Sequence, residues 1–534
     1  MKKHVSFLSA LCLVFLASCA RPVAVVTVTS AAGQHCDTVE SITFNSSASP
    51  EEAVVVDLKS PRQTVDGIGV SLTESSAFVL ACLDSTQREQ IIQELFSRDG
   101  ADFAVTRTHI GSCDFCVEGC YALCETPGDV EMTTFTLDPD KEGFSPERYP
   151  YVKGRYDLYH LMKDAMRVRE DGVYRVIACP WTAPAWMKDN GRYYERANGV
   201  HRGGALLPQY YQAYANYIAR FIEEWKTEGL NIWAVTPVNE PMGNDGGWES
   251  MDFGPQAEAT FIGRYLGPTF EQRDLAETQI MGFDQNIFEI APYTAAIYGD
   301  SLANLYTPAM ALHWYGSTYS CFPEVLDSLH ALYPNKRLMH IEGCIDNLGC
   351  PAWTGVTDPK GFTESGWFMN ENFWWTKSAT DWAYSTPWDN GNHPAYSPVH
   401  RYAQFIIDGM NHWLTGFVDW NVVLDSIGGP NHVNNFAAAP VMVDYINDKV
   451  WFTPYYYVLK QFSRSMRPGD TVLTVNMPEG CPLHVCAVRR ANGHVSVNIL
   501  NMEEVAIAFP LAIGRYAATV FAPANSVMTL DITL

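Results

Sequence analysis

The chain has 534 residues, with 36 Lys and Arg against 60 Asp and Glu and a formal net charge of −24. So acidic a surface repels phosphate backbones and excludes general nucleic-acid binding. Only 18% of residues are charged while 47% are hydrophobic, which excludes a disordered acidic tail and leaves enough apolar side chain for a large core. The 15 Trp are enough to supply stacking surfaces as well as packing.

Lys2 and Lys3 form a positive start, and Val5 to Ala17 is a 13-residue apolar stretch. That is shorter than the ~20 helical residues a bilayer core requires, and it reads as an export signal over residues 1–18. Leu16-Ala17-Ser18-Cys19 resembles a bacterial lipobox. The resemblance implies lipid on Cys19 and an exported outer-membrane lipoprotein facing the periplasm or the cell surface, touching the membrane only through that lipid. Ordinary signal cleavage is the alternative. Residues 19–50, rich in Ala, Ser, Thr and Val, read as a tether. Fourteen cysteines fit an oxidising compartment. Cys113, Cys116, Cys120 and Cys124 lie close together, and disulfides, free thiols and a metal site all remain open for them. Their spacing lacks the paired-knuckle pattern of zinc sites.

Strands and helices then alternate. QTVDGIGV (63–70) is a strand bounded by glycine, and Asp84–Arg98 is a helix with Thr86 and Glu89 at capping-box spacing. FAVTRTHIG (103–111) precedes a helix over Asp157–Glu170. YRVIACPW (174–181) precedes a long helix over Gln209–Glu228, whose apolar residues recur at three and four. IWAVTPVNE (232–240), QIMGFDQN (279–286), PAMALHWYG (308–316) and KRLMHIEG (336–343) continue the series. FVDWNVVLD (417–425) ends it, after a helix near Val399–Trp413. Eight strands alternating with helices predict a (β/α)8 TIM barrel over residues 63–460. No GxGxxG or GxxxxGK follows a strand, which argues against an open doubly wound sheet. Residues 461–534 hold short alternating runs without helices and predict a side-attached all-β sandwich. Residues 51–62, with VVVDL at 54–58, read as an N-terminal strand joining that sandwich.

Barrel chemistry sits at the C-terminal strand ends. Those ends carry Arg107 and Asp114, Trp181, Asn239 and Glu240, Asp284 and Asn286, His313 and Tyr315, Glu342, and Trp420 and Asn421. Two carboxylates, Glu240 and Glu342, on opposing strands suit double displacement at an acetal carbon. Each residue also has a plainer reading. His313 suits a hydrogen-bonded core position, Asp114 suits a salt bridge to Arg107, and the Trp residues suit packing.

Eight stretches in order resemble glycoside hydrolase family 30, the family of glucosylceramidase and of β-1,6-glucanases: QTVDGIGVSLTESSA (63–77), TRTHIGSCDF (106–115), PWTAPAWMK (180–188), WAVTPVNEP (233–241), ALHWYG (311–316), HIEGC (340–344), VDWNVVLDSIGGPNHVNN (418–435) and YYVLKQFSRSMRPG (456–469). The resemblance implies a retaining glycosidase with Glu240 as acid/base and Glu342 as nucleophile. It implies that Asn239 binds the sugar 2-OH and that Tyr315 holds the nucleophile. It also implies that Arg107, Asp114, Trp181, His313, Trp420 and Asn435 line the sugar site.

The sequence departs from the glucosylceramidase pattern in two places. Residues 351–400 carry eleven aromatics, readable as a local core or as a subsite wall, and His432 stands where glucosylceramidase has Trp. No Arg/Lys cluster marks the strand-end motifs, so the expected substrate is a neutral β-glucan, most of all β-1,6-linked. An exo-acting β-glucosidase, glucosylceramidase or β-fucosidase is the alternative, and a carbohydrate-binding lipoprotein is the non-enzyme rival. No cofactor or metal is expected, since HxH and HExxH arrangements are missing.

Overall fold

The structure is a computed structural model that describes residues 21–46, 52–169, 172–195, 203–244, 247–345, 367–377 and 396–534. The expected signal peptide and Cys19 lie outside these residues. Among the described residues no helix is long and apolar enough to cross a membrane.

Eight parallel strands form the barrel: β5 (Gly67–Leu72), β6 (Val105–His109), β7 (Arg175–Cys179), β8 (Ile232–Val235), β9 (Gln279–Asn286), β10 (Ala309–His313), β11 (Arg337–Glu342) and β12 (Gly416–Asp419). They pair in chain order, and β12 returns to β5. Leu414, just before β12, bridges Leu338 of β11 and closes the ring. Strands buried on both faces read as continuous apolar runs, which is why all eight are visible in the sequence. Gly69 lets β5 and β6 approach, since a Cβ there would lie 1.7 Å from the Val105 carbonyl oxygen.

The predicted helices occur with trimmed ends, at Ser85–Phe96, Leu158–Val168, Tyr211–Thr227 and Pro398–Asn411. The first is capped differently from expectation. Asp84 Oδ1 accepts from the backbone N–H groups of Thr86 and Gln87, while Glu89 pairs with Arg167 at 2.6 Å. Asp84 at the N-cap outcompetes the Thr86/Glu89 box because it sits two residues earlier and accepts two orphan donors. A further helix, Glu74–Ala81, escaped the periodicity reading because all but its first residue is buried.

The side domain is one ten-stranded sheet with its own apolar core. Its strands are β1 (Val23–Ser30), β2 (Gln34–Thr43), β3 (Asn45–Ser46), β4 (Val54–Thr64), β16 (Thr471–Asn476), β17 (His484–Arg489), β18 (Val495–Asn501), β19 (Ile507–Ile513), β20 (Tyr516–Ala522) and β21 (Ser526–Thr533). β4 joins it by pairing with β16 and β19, as VVVDL suggested. Residues 23–46 are not a tether. β1 pairs with β2 and along its whole length with β21. Ala24, Val26 and Val28 point into the core while Val23 and Val25 face solvent. Because both faces of β1 are apolar in composition, its alternation is hidden. Three short strands, β13 (Val423–Asp425), β14 (Val441–Asp444) and β15 (Lys449–Phe452), form a small sheet beyond β12.

The helix Pro454–Ser465 straddles the expected 460/461 boundary and joins the two domains. Its buried Gln461 donates from Nε2 to Thr529 Oγ1 at 2.9 Å and to the Val527 carbonyl at 3.2 Å, and Oε1 accepts from Thr29 Oγ1 at 2.9 Å. Each amide valence is thus used against the side sheet, as burial of a polar group requires.

Removing residues 21–46 is expected to lower the melting temperature by at least about 5 °C, because it strips three strands, β1, β2 and the short β3, and uncovers β21. An unchanged calorimetric transition would mean the segment behaves as a tether after all.

Candidate active site

The site is built around Arg107, whose side chain is fully buried inside the barrel. From β6 its two terminal nitrogens donate to three other strands or their loops, and Nε donates to the Cys179 thiol of β7 at 3.3 Å. Nη1 reaches Glu342 Oε2 at 2.5 Å, and Nη2 reaches Asn239 Oδ1 at 2.6 Å and both Asp284 oxygens at 3.2 Å. Asp284 in turn accepts from Thr236 Oγ1 at 2.6 Å and pairs with His313 Nε2 at 2.7 Å. The other ring nitrogen, Nδ1, lies 3.5 Å from Glu240 Oε1 and 3.9 Å from Glu342 Oε1. Tyr315 Oη donates to Glu342 Oε1 at 3.1 Å. Donor atoms of Glu240, His313 and Glu342 all fall within 4.8 Å of one another.

Local backbone irregularities aim these groups. Opposite β10, β9 slips by one residue between Phe283 and Gln285, and Phe283 and Asp284 both have positive φ. Such a bulge turns a side chain that the pleat would place otherwise. The Phe283 N–H freed from the ladder donates to buried Glu258 at 2.8 Å. β11 slips likewise, so that His313 stands beside Glu342 while Leu312 stands beside His340. His340 therefore faces outward onto Phe405 and Phe417, and Glu342 faces the site. Glu240 has φ +49° before Pro241, a conformation unfavourable for a non-glycine residue. It is held by its N–H donating to the Asp284 carbonyl at 2.9 Å and by its own carbonyl accepting from Gly243 at 2.8 Å.

The electrostatics follow from burial and charge. Burial opposes the charge on His313, but Glu342, Asp284 and Glu240 together raise its pKa to about 9. Burial also opposes the Asp284 charge, yet Arg107 and His313 hold its pKa at about 2. Burial raises the Glu342 carboxyl, with His313 and Arg107 pulling the other way.

One wall is aromatic. Trp181 and Trp420 stack with centroids 5.1 Å apart, and the Arg107 guanidinium lies 4.6 Å from the first ring and 5.4 Å from the second. Beside them Asp114 accepts from Asn435 Nδ2 at 2.9 Å, and its Oδ1 is buried without a hydrogen bond. Burial first, then the Glu342 charge, raises the Asp114 carboxyl well above the usual range.

The geometry thus gathers Arg107, Asn239, Glu240, His313, Tyr315 and Glu342, with Trp181 and Trp420 against Arg107 and the Asp114–Asn435 pair beside them. Arg107 pairs with Glu342 and Asp284 rather than with Asp114. Asp284 is the hub that the sequence showed only as a strand-end acid. Thr236 and Cys344, which lies 3.4 Å from Tyr315 Oη, fall inside quoted stretches but were not singled out, and Glu249 lies outside them. Trp367, Phe368, Trp374 and Trp375 are buried in the main core, so the described part of the aromatic-rich stretch is packing. The rest of that stretch lies outside the described residues. The eleven described cysteines are all free thiols, and Cys113, Cys116, Cys120 and Cys124 do not meet as one cluster.

His313 contributes to stability in full below its ordinary value of 6.5, and that contribution is lost as pH rises through about 9. Asp284 contributes above its ordinary 3.8, and that is lost as pH falls through about 2. Asp284→Asn is expected to return the NMR titration of His313 toward or below 6.5 and to cost about 3–5 kcal/mol. An unchanged His313 titration would remove Asp284 as the hub.

Comparison with known proteins agrees with this architecture. The model of the glycosyl hydrolase family 30 TIM-barrel domain matches residues 65–355 and 372–466. The lysosomal acid glucosylceramidase of Mus musculus is 27% identical over 446 residues, covering 82% of this chain and 75% of its own. The endo-1,6-beta-D-glucanase of Neurospora crassa is 24% identical over 419 residues, covering 77% and 72%. Among solved structures, SrfJ from Salmonella typhimurium superposes with a TM-score of 0.77 at 22% identity, covering 95% of this chain and 99% of its own. The endo-beta1,6-glucanase BT3312 superposes at 0.73 with 24% identity, covering 95% and 98%. With a family model spanning most of the chain and its barrel present strand for strand, this glycosidase belongs to glycosyl hydrolase family 30.

Proposed function

We propose that the enzyme cleaves β-glucosidic bonds with retention, with Glu342 as nucleophile and Glu240 as acid/base. The observation that carries this is the approach of Glu240 and Glu342 oxygens to within 4.8 Å. Retaining glycosidases hold their carboxyl groups about 5–5.5 Å apart, while inverting ones need about 6.5–9.5 Å to admit a water.

In the first step Glu342 attacks the anomeric carbon and Glu240 gives its proton to the departing oxygen. Arg107 on Oε2 and Tyr315 on Oε1 fix the attacking carboxylate in one rotamer and favour its charged form. The glycosyl ester carries no charge, so Glu240 no longer faces a second carboxylate. In the second step Glu240 takes a proton from water as the water attacks the ester. His313, charged at neutral pH and lying between the carboxylates, steadies both. Asp114, with one buried oxygen unpaired, suits a sugar hydroxyl.

The substrate we propose is β-1,6-linked glucan. The similarity to endo-1,6-β-glucanases supports this, as does the polar Glu249–His432 pair near Asp114, which suits a sugar leaving group better than a lipid one. Exo-acting cleavage of a β-glucoside, glucosylceramide or a β-fucoside is the second reading, favoured by the match to glucosylceramidase over 82% of the chain. Anchoring of the enzyme to a bacterial outer membrane through Cys19 is part of the same proposal.

Glu342→Gln is expected to cut turnover by more than about 1000-fold. Azide added to Glu342→Gly is expected to give a glycosyl azide of inverted configuration. Glu240→Gln should spare activated aryl glycosides more than natural linkages, because a good leaving group needs little protonation. Near-normal turnover in Glu342→Gln, or equal loss on both substrate types in Glu240→Gln, would refute the roles. Digestion of β-1,6-glucan should release oligosaccharides of mixed length, whereas release of glucose alone would favour the exo reading.

A further inference from the structure

Cys120, on the loop after β6, Glu249, on the loop after β8, and His432, between β13 and β14, meet at the barrel rim beside Asp114. One donor atom from each lies within 4.8 Å of the other two. Glu249 is fully buried, and although His432 and Ser112 approach its carboxylate and favour its charge, neither oxygen receives a well-aligned hydrogen bond. His432 Nε2 likewise has no hydrogen bond and stands 3.3 Å from Glu249 Oε2. Its other nitrogen, Nδ1, is 2.9 Å from the Cys116 carbonyl oxygen. That contact places a proton on Nδ1, so that in the neutral ring the Nε2 lone pair faces Glu249 and Cys120.

These are the marks of a metal ligand set. A histidine that binds metal through one nitrogen characteristically donates the other N–H to a backbone carbonyl or carboxylate. Tetrahedral bonds of about 2.0–2.3 Å to zinc put neighbouring ligand atoms roughly 3.3–3.8 Å apart, the spacing already present between His432 and Glu249. Cys120 is exposed, so an ion has a path in. Thiolate, carboxylate and neutral imidazole balance the charge of one divalent ion and leave a fourth position for water.

Neither of the other two candidate groups offers a separate site of this kind. His109, near Cys113 and Cys116, has Nδ1 against the Gly111 carbonyl oxygen and Nε2 accepting from the Glu74 N–H. His313 shares the pattern, with Nε2 on Asp284 and Nδ1 without a hydrogen bond, but its neighbours Glu240 and Glu342 are the two carboxylates of the active site itself.

We propose that Cys120, Glu249 and His432 bind one zinc ion, which ties three rim loops together next to the sugar site. The rival is a simple ion pair in which a proton on His432 fills the gap. The test uses the full chain, stripped by chelator and titrated with Co²⁺ as a probe for Zn²⁺. One equivalent is expected to produce a thiolate-to-cobalt charge-transfer band in the near ultraviolet, and Zn²⁺ is expected to displace it. Cys120→Ser should abolish the band, and Glu249→Gln and His432→Ala should weaken binding by at least about 10-fold. Zn²⁺ should raise the melting temperature of the unaltered chain but not that of Cys120→Ser. Cys120 is exposed, so its substitution leaves the fold intact, and circular dichroism checks this for all three variants. Absence of stoichiometric binding by the unaltered chain at tens of micromolar metal would overturn the proposal in favour of the ion pair. A charge-transfer band that survives Cys120→Ser would overturn it by assigning the ion to another thiol.

Discussion

Arg107 is the constraint on which the rest of the site depends. A guanidinium with no exposure to water must have its charge and its donors answered inside the protein. Here Glu342, Asp284, Asn239 and the Cys179 thiol answer them from four other strands or their loops. Moving any one of these groups leaves a buried charge short of partners, so the arginine sets the positions of its neighbours. The planar fork of Arg suits this role, since its donors diverge toward separate acceptors at fixed angles. The carboxylate proposed to attack the sugar thus takes its position from an interaction that exists before any substrate arrives.

The barrel accepts such a cluster because its scaffold is rigid elsewhere. The side sheet buttresses it through the helix Pro454–Ser465, whose Gln461 uses each amide valence against that sheet. Cys486, Val488, Leu500 and Val527 of the sheet belong to the same apolar core as the barrel strands. Part of the strained backbone lies at the barrel strand ends. Glu240, Phe283, Asp284 and Asn421 all have positive φ, and Glu240 and Asp284 contribute directly to the charge network. Unfavourable backbone conformations of this kind persist where surrounding contacts over-determine them.

How much of this was legible follows from which signals are local. The eight barrel strands were readable because each is an apolar run ended by a polar or glycine residue. Glu240 and Glu342 were readable because they close such runs. Asp284 was visible as an acid but not as a hub, since its partners come from elements distant in sequence and its aim depends on a bulge that leaves no residue signature. The slip at Ile341 is similar. Ordinary pleat counting puts His340 and Glu342 on one face, whereas the structure puts them on opposite faces. β1 was mistaken for a tether because its solvent-facing residues are as apolar as its core-facing ones. Cys120 and His432 were each singled out in the sequence, but nothing there joins them to each other or to Glu249, because each comes from a different loop.

The pairing of β1 with β21 also bears on the order of events as the polypeptide is made. Val23 lies opposite Thr533 and Ser30 opposite Ser526, so the first described strand meets its neighbour only when the last one has emerged. The barrel strands lie entirely between them and are complete far earlier. Until Ser526–Thr533 has been made, Val26 and Val28 have no full sheet to bury them, and such an unpaired apolar ribbon invites association with other nascent copies. Contacts of such large sequence separation are also the slowest to find. The pairing of β1 with β21 is then a late step of folding, after the barrel between them.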